Sequence, residues 1–292
     1  MICSIATETS TSRRARRRIL PIVFLVSGFA GPLRAQEGGP SGLGVNWTMG
    51  PGAGNLGGFA EIRIPEGYQF AGPSDARRLL EAMQNPTNGS EMGLLSPRTG
   101  GWFLVFEFSS VGYVKDDEKD KLDAGALLGT LRTGNEAGNK ERRKRGWSEI
   151  TLIGWEQVPR YNVQTHNLEW ATRSRSVEGL VVNHNTRLLG RRGVMEVTLV
   201  CGPEEFSSAL PHLGEVLEGY SFKPGQTYAE FRRGDRVAAY GLTALVAGGA
   251  AVALAKSGLL AKLWKLLVIG VVAVTGFVRR LFKGKSLSEA SG

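Results

Sequence analysis

Apolar positions along this chain change period several times, and each change predicts an element. "FAEIRIP" (Phe59 to Pro65) alternates apolar and polar residues, as a half-buried strand does. "SDARRLLEAMQ" carries Ala76, Leu79, Leu80 and Met83 at helical spacing, with Ser74 as the expected N-cap. "WFLVFEF" (Trp102 to Phe108) is almost continuously apolar and predicts a strand buried on both faces. A longer helix is expected from an Asp123 cap to Gly146. Its apolar stripe, Ala124, Leu127, Leu128 and Leu131, continues at the same spacing through Asn135, Gly138 and Arg142. The side facing the core therefore turns polar halfway along.

Four more strand patterns follow: "EITLIGWEQV", "HNLEWATRSR", "GLVVNHNTRLLG" and "GVMEVTLVC". Connections as short as "RYNVQT" and "RRG" suit antiparallel hairpins and are too short for parallel crossovers. "PEEFSSALPHLGEVLEGYSF" predicts a helix interrupted at Pro211, then a short strand or turn. The expected class is α+β, a mostly antiparallel sheet with helices packed on it. In its order of elements it loosely resembles the PsbP-like fold.

Both ends of the chain depart from this pattern. Five arginines (Arg13, Arg14, Arg16, Arg17, Arg18) precede an apolar run from Ile19 to Ala30, and small residues follow. This is the layout of a secretory signal peptide, expected over residues 1–35. Residues 36–58 are rich in Gly and Pro and read as a tether. From Val237 to Ala255 nineteen residues pass without a charge. As a helix they would extend about 28 Å, close to the ~30 Å hydrocarbon core of a bilayer. A membrane anchor is therefore expected over 236–285, after an exported domain at 59–235 and before a tail at 286–292. Its first span is 237–255, and a second, 259–278, requires Lys262 and Lys265 to reach the headgroups. Charge opposes the two-span arrangement, because Arg279, Arg280, Lys283 and Lys285 would then lie outside.

Net charge changes meaning once it is located. The chain totals +9, yet Gln36 to Ala255 holds 23 Lys or Arg against 25 Asp or Glu, a net of −2. The basic excess belongs to the two ends, where membrane targeting uses it, which argues against nucleic acid as a partner. Inner-membrane lipid and a membrane or envelope protein are the expected partners. After cleavage the one remaining cysteine is Cys201, so an internal disulfide is excluded.

Chemical motifs are scarce. There is no phosphate-binding loop, nucleophile elbow or Cys-x-x-Cys pair, and His166, His184 and His212 lack ligand spacing. No residues are assigned to catalysis, a cofactor or a metal. Asp116, Asp117, Glu118 and Asp120 in "VKDDEKD" read as a solvated charge run. Two stretches qualify as a binding surface. Asn135, Asn139 and Arg142 occupy the polar half of the long helix's stripe, which reads either as a solvated helix end or as a groove wall. Asn183, Asn185 and Arg187 share one face of a strand, open to water or to a ligand.

Several stretches, in order, resemble one family. They include "IPEGYQF", "DARRLLEAM", "SSVGYVKDDE", "NKERRKRG", "VNHNTRLLGRRGV" and "AEFRRGDRVAAYGLTALVAGGAA". From about residue 45 to the end, nearly its whole mature length, the chain is similar to the uncharacterised bacterial membrane-anchored proteins grouped as domain of unknown function 2167. The resemblance implies a bacterial envelope protein with its body in the periplasm and its C-terminal part in the inner membrane. It brings no activity and no catalytic residues. The expected function is a non-enzymatic partner- or ligand-binding domain. The alternatives are an envelope hydrolase using the Asp116 to Asp120 carboxylates with Arg142 or Arg187, and an accessory subunit of a transporter.

Overall fold

The computed structural model describes residues 43–99 and 101–248. The expected signal peptide (1–35), the end of the first expected span (249–255), the whole of the second (259–278) and the tail (286–292) lie outside them. Two antiparallel meanders build the main sheet. The first contains β1 (Trp47–Met49), β4 (Tyr68–Ala71), β5 (Glu91–Pro97) and β6 (Phe103–Ser109). The second contains β7 (Thr151–Asn162), β8 (Asn167–Ser176), β9 (Gly179–Leu189) and β10 (Val194–Cys201). They join where β6 pairs antiparallel with β10, which gives the order β1-β4-β5-β6-β10-β9-β8-β7. A three-stranded sheet of β2 (Gly52–Leu56), β3 (Ala60–Ile64) and β11 (Tyr220–Phe222) completes the strands. The fold is thus a mostly antiparallel sheet with a few helices.

One face of the main sheet is packed in the ordinary way. Leu104, Phe106, Val182, Val197 and Leu199 point into a core shared with helix α3 (Phe206–Glu218) and the small sheet. α3 runs unbroken through Pro211, against the interruption expected. Pro211 and Ser207, whose carbonyl loses its helical donor, are both exposed, so water can serve that carbonyl. The buried face, Phe206, Ala209, Leu213 and Val216, is continuous.

The tether is also corrected, because residues 47–56 hold strands β1 and β2. Glycine is needed there for closeness. A Cβ at Gly54 would lie 2.9 Å from Ile62 Cγ2 and 3.0 Å from the Phe70 ring. Within the Gly-rich stretch that suggested flexibility, Gly54 makes room for Phe70. Helix α1 (Pro73–Ala82) begins one residue before the expected Ser74 cap, with Gly72 as N-cap and no side-chain bond to it. Proline suits that first position because its missing N–H would have no helical partner.

Helix α2 (Ala124–Lys144) has the expected cap, Asp123 Oδ1 accepting the Ala126 N–H at 3.0 Å. It connects β6 at the centre of the sheet to β7 at its edge.

The start of the first predicted span behaves differently from a membrane helix. Val237 forms a bridge with Tyr113, and helix α4 (Leu242–Val246) is buried in the domain. Leu242, Leu245 and Val246 are 0–3% exposed and pack with Val114, Leu127, Leu168 and Trp170. Glu118 accepts the Thr243 N–H and hydroxyl at the entry to α4, so this member of the supposed solvated run has a structural partner. Among the described residues no helix is long and apolar enough to cross a membrane.

Candidate functional site

Three helices leave the middle of the second sheet face uncovered. α1 packs over β4 to β6 through Ala76, Leu79 and Leu80. α2 lies against β7, and α4 sits over Leu168 and Trp170. Between them is a broad open groove of about 1170 Å³.

Strand register determines its floor, because residues directly opposite on neighbouring strands point to the same side. Glu107, Glu196 and Arg187 form one row across β6, β10 and β9. Val105, Thr198, Asn185 and Trp170 form the next, and Phe103, Val200, Asn183 and Thr172 the third. All of these residues line the groove. The floor grades from charged at the first row to apolar along β6.

Arg187 is the most constrained group on this floor. It is 8% exposed, and its guanidinium carbon lies 4.8 Å from the centre of the Trp170 ring. Its Nη2 lies 3.0 Å from Glu196 Oε2 and 3.4 Å from Asn185 Oδ1. Nε and Nη1 have no hydrogen-bond acceptor among the described residues. Burying guanidinium donors without acceptors is costly, so an arginine placed this way marks a place where polar chemistry matters. Asn185 also accepts from Thr198 Oγ1 at 3.3 Å and donates to the Asn183 carbonyl at 3.1 Å.

Across the row the carboxylates differ in environment. Burial, then the neighbouring Glu196 charge, pushes the Glu107 pKa up, although Ser90 Oγ donates to it at 3.0 Å. Glu196 is held by Arg187. Glu91, 2% exposed, accepts the Asn88 and Gly89 N–H groups at 2.8 and 2.9 Å, so it holds a turn.

The six sequence-predicted residues fall into two groups. Asn183, Asn185 and Arg187 come together on the groove floor. Asn135, Asn139 and Arg142 bind the backbone at the start of β7. Asn139 exchanges two bonds with Ile150, and Asn135 accepts from the Leu152 N–H at 3.2 Å. Arg142 donates to the Ser148 and Gln84 carbonyls. Asn135 and Arg142 also reach the groove wall, while Asn139 does not line it.

The loop carboxylates do not join the arginines. Asp116 accepts from Tyr161 Oη at 3.2 Å, Glu118 receives α4, and none of the four lines the groove. Among the described residues no His, Cys, Asp and Glu cluster could hold a metal ion. Cys201 is buried, which pushes its thiol up to about 11.

Glu107, Glu196, Thr198 and Trp170 were missed in the sequence. A signal existed for two of them: Glu196 and Thr198 alternate with apolar residues in "VMEVTLVC", and so face away from the core.

The family described as "Protein of unknown function (DUF2167)" matches residues 48–279. This chain belongs to the DUF2167 family. No curated protein matches it in sequence. Among solved structures it is similar to the cyanobacterial PsbP (CyanoP) of Synechocystis sp. PCC 6803. That match has 12% identity and a TM-score of 0.36, and covers 66% of this chain and 100% of the other. It is also similar to the Saccharomyces cerevisiae Ran-binding protein Mog1p, at 8% identity and a TM-score of 0.30. That match covers 63% of this chain and 100% of the other.

Proposed function

We propose that this DUF2167 protein is a non-enzymatic envelope protein, exported and held at the inner membrane, whose domain binds a polar ligand on the open sheet face. The observation that carries the reading is Arg187. A buried guanidinium with two donors lacking acceptors stands on a groove floor beside Asn183, Asn185 and Thr198. Hydrogen-bonding side chains converging in a concavity are how a fold selects a polar ligand. The apolar C-terminal run would be a poor occupant of the charged end of this floor.

The anchor follows from the sequence. Because α4 is packed in the domain, the apolar run beginning at Val237 does not serve whole as a first span. A single span over 259–278 leaves Arg279, Arg280, Lys283 and Lys285 on the inner side, as positive charges prefer. A reporter active only in the cytoplasm, fused after Gly292, is expected to be active. Silence would favour the two-span hairpin.

The binding reading is tested by native mass spectrometry of the full-length protein released in mild detergent. A co-purifying small molecule is expected, lost in the double variant Asn183→Ala/Asn185→Ala while the melting temperature holds. A protein free of adducts in both forms would remove the groove as a binding site.

A further inference from the structure

Between β11 and α4 the chain runs as a strap across one end of the main sheet. Its 3-10 turn (Tyr228–Glu230) closes with a capping box, in which Glu230 accepts from Thr227 and the Gly225 N–H. Asp235 then makes two bonds to Arg191, at 2.7 and 2.8 Å, and accepts the Arg232 N–H. The Ala238 N–H continues to the Tyr113 carbonyl at 2.8 Å. These contacts occupy both acidic groups of the strap internally.

What remains on the outside has one character. Arg232, Arg233 and Arg236 are exposed, and Arg192 on the β9–β10 turn is exposed beside them. The Arg192 backbone accepts the Gly112 N–H, and Arg236 Nη1 donates to the Ser110 carbonyl, so turn, loop and strap meet at this end. None of the four guanidinium groups forms an ion pair among the described residues. Phe231 and Val237, 38% and 42% exposed, flank them in the same strap. The adjoining loop adds exposed Lys115, Lys119 and Lys121 against exposed Asp117 and Asp120. The strap lies next in the chain to α4, after which the apolar run resumes.

We infer that Phe231, Arg232, Arg233, Arg236 and Val237, with Arg192, form a docking surface for the anionic phospholipid headgroups of the bilayer that anchors the chain. The inference rests on the anchor reading. Unpaired arginines interleaved with two exposed apolar side chains match an interface whose outer layer is phosphate and whose inner layer is hydrocarbon. The paired acids remove the repulsion that the strap would otherwise present. Each arginine brought to an anionic surface is expected to strengthen contact about fivefold. Docking would hold the sheet at a set orientation to the membrane.

The test places full-length protein in nanodiscs of phosphatidylcholine alone or with phosphatidylglycerol, and reads hydrogen exchange over residues 228–238. Exchange in this segment should slow severalfold when phosphatidylglycerol is present. The double variant Arg232→Glu/Arg233→Glu should lose the difference while staying inserted. A control, Arg143→Glu/Lys144→Glu at the end of α2, should keep it. Equal exchange in both lipids, with the protein inserted, would overturn the docking surface. Release of wild-type protein from membranes by alkaline carbonate would instead overturn the anchor. In that case flotation with vesicles decides the surface: binding to phosphatidylglycerol vesicles but not phosphatidylcholine supports it, and no binding overturns it.

Discussion

The side chain of Asn139 and the backbone of Ile150 exchange two hydrogen bonds, Nδ2 to the carbonyl at 2.8 Å and N–H to Oδ1 at 2.9 Å. An asparagine amide has the donor and acceptor of a peptide group, so here a helix supplies what a neighbouring strand would. Arg132, Asn135 and Arg142 extend the pattern along the same helix face, to Ile153, Leu152 and Ser148. The edge of the main sheet, an open template for unwanted pairing, is covered at its start by side chains. Pro159 lies further along the same edge strand, where proline also discourages pairing.

Replacing Asn139 with Ala should therefore destabilise the domain by about 1–3 kcal/mol, since the part-buried N–H and carbonyl of Ile150 lose their partners. Urea denaturation of the purified protein measures this. Ligand retention in the groove should be unaffected, because Asn139 does not line it.

Leu242→Ala discriminates between domain and membrane for the start of α4. Leu242 is fully buried among Val114, Leu168 and Trp170, so its truncation should cost about 2–4 kcal/mol of domain stability. Were Leu242 in lipid, the melting of the domain would not change.

Asp235 links the strap to pH. Its bonds with Arg191, then with the Arg232 N–H, hold its pKa down to about 2, against 3.8 in the unfolded chain. A depressed carboxylate contributes stability that is complete above the unfolded value and is lost as pH falls through the folded one. Asp235→Asn should lower the melting temperature at pH 6. Its gap from wild type should narrow between pH 4 and pH 2.

Glu107 has the opposite sign. Burial and the Glu196 charge raise its pKa above the ordinary 4.5, so its contribution is greatest in acid and declines as pH rises through the folded value. Glu107→Gln should melt about 3 °C above wild type at pH 8. The two should converge below pH 4. Melting curves across that range suffice, and an unchanged or lower melting point at pH 8 would remove the claim.

Much of the fold was legible because it rests on local pattern. Asp123 and Gly146 bracket α2, and the hairpins β7 to β10 follow from short connections between alternating runs. β2 was hidden by its glycines, and the purpose of Gly54 is visible only once Phe70 is placed against it. Pro211 was misread because the disruption that proline brings falls here on the exposed side of α3, where water can serve the Ser207 carbonyl, and leaves the buried face continuous. Half of the candidate site was legible in the same way. Alternation put Asn183, Asn185 and Arg187 on one face of β9, but it could not say which residues of other strands stand beside them.

The sequence by itself determined period, caps and charge placement, since these depend on neighbours within a few residues. It thereby determined the strand and helix patterns, the basic ends and the family. The tertiary structure decided everything that depends on register between distant strands. The pairing of β6 with β10 sets Glu107 opposite Glu196 and completes the row with Arg187. The docking of α2 gives its polar stripe a backbone to bind, and the burial of α4 takes the start of an apolar run into the protein. An uncharged stretch satisfies a core as well as a bilayer, and only the residues packed against it distinguish the two.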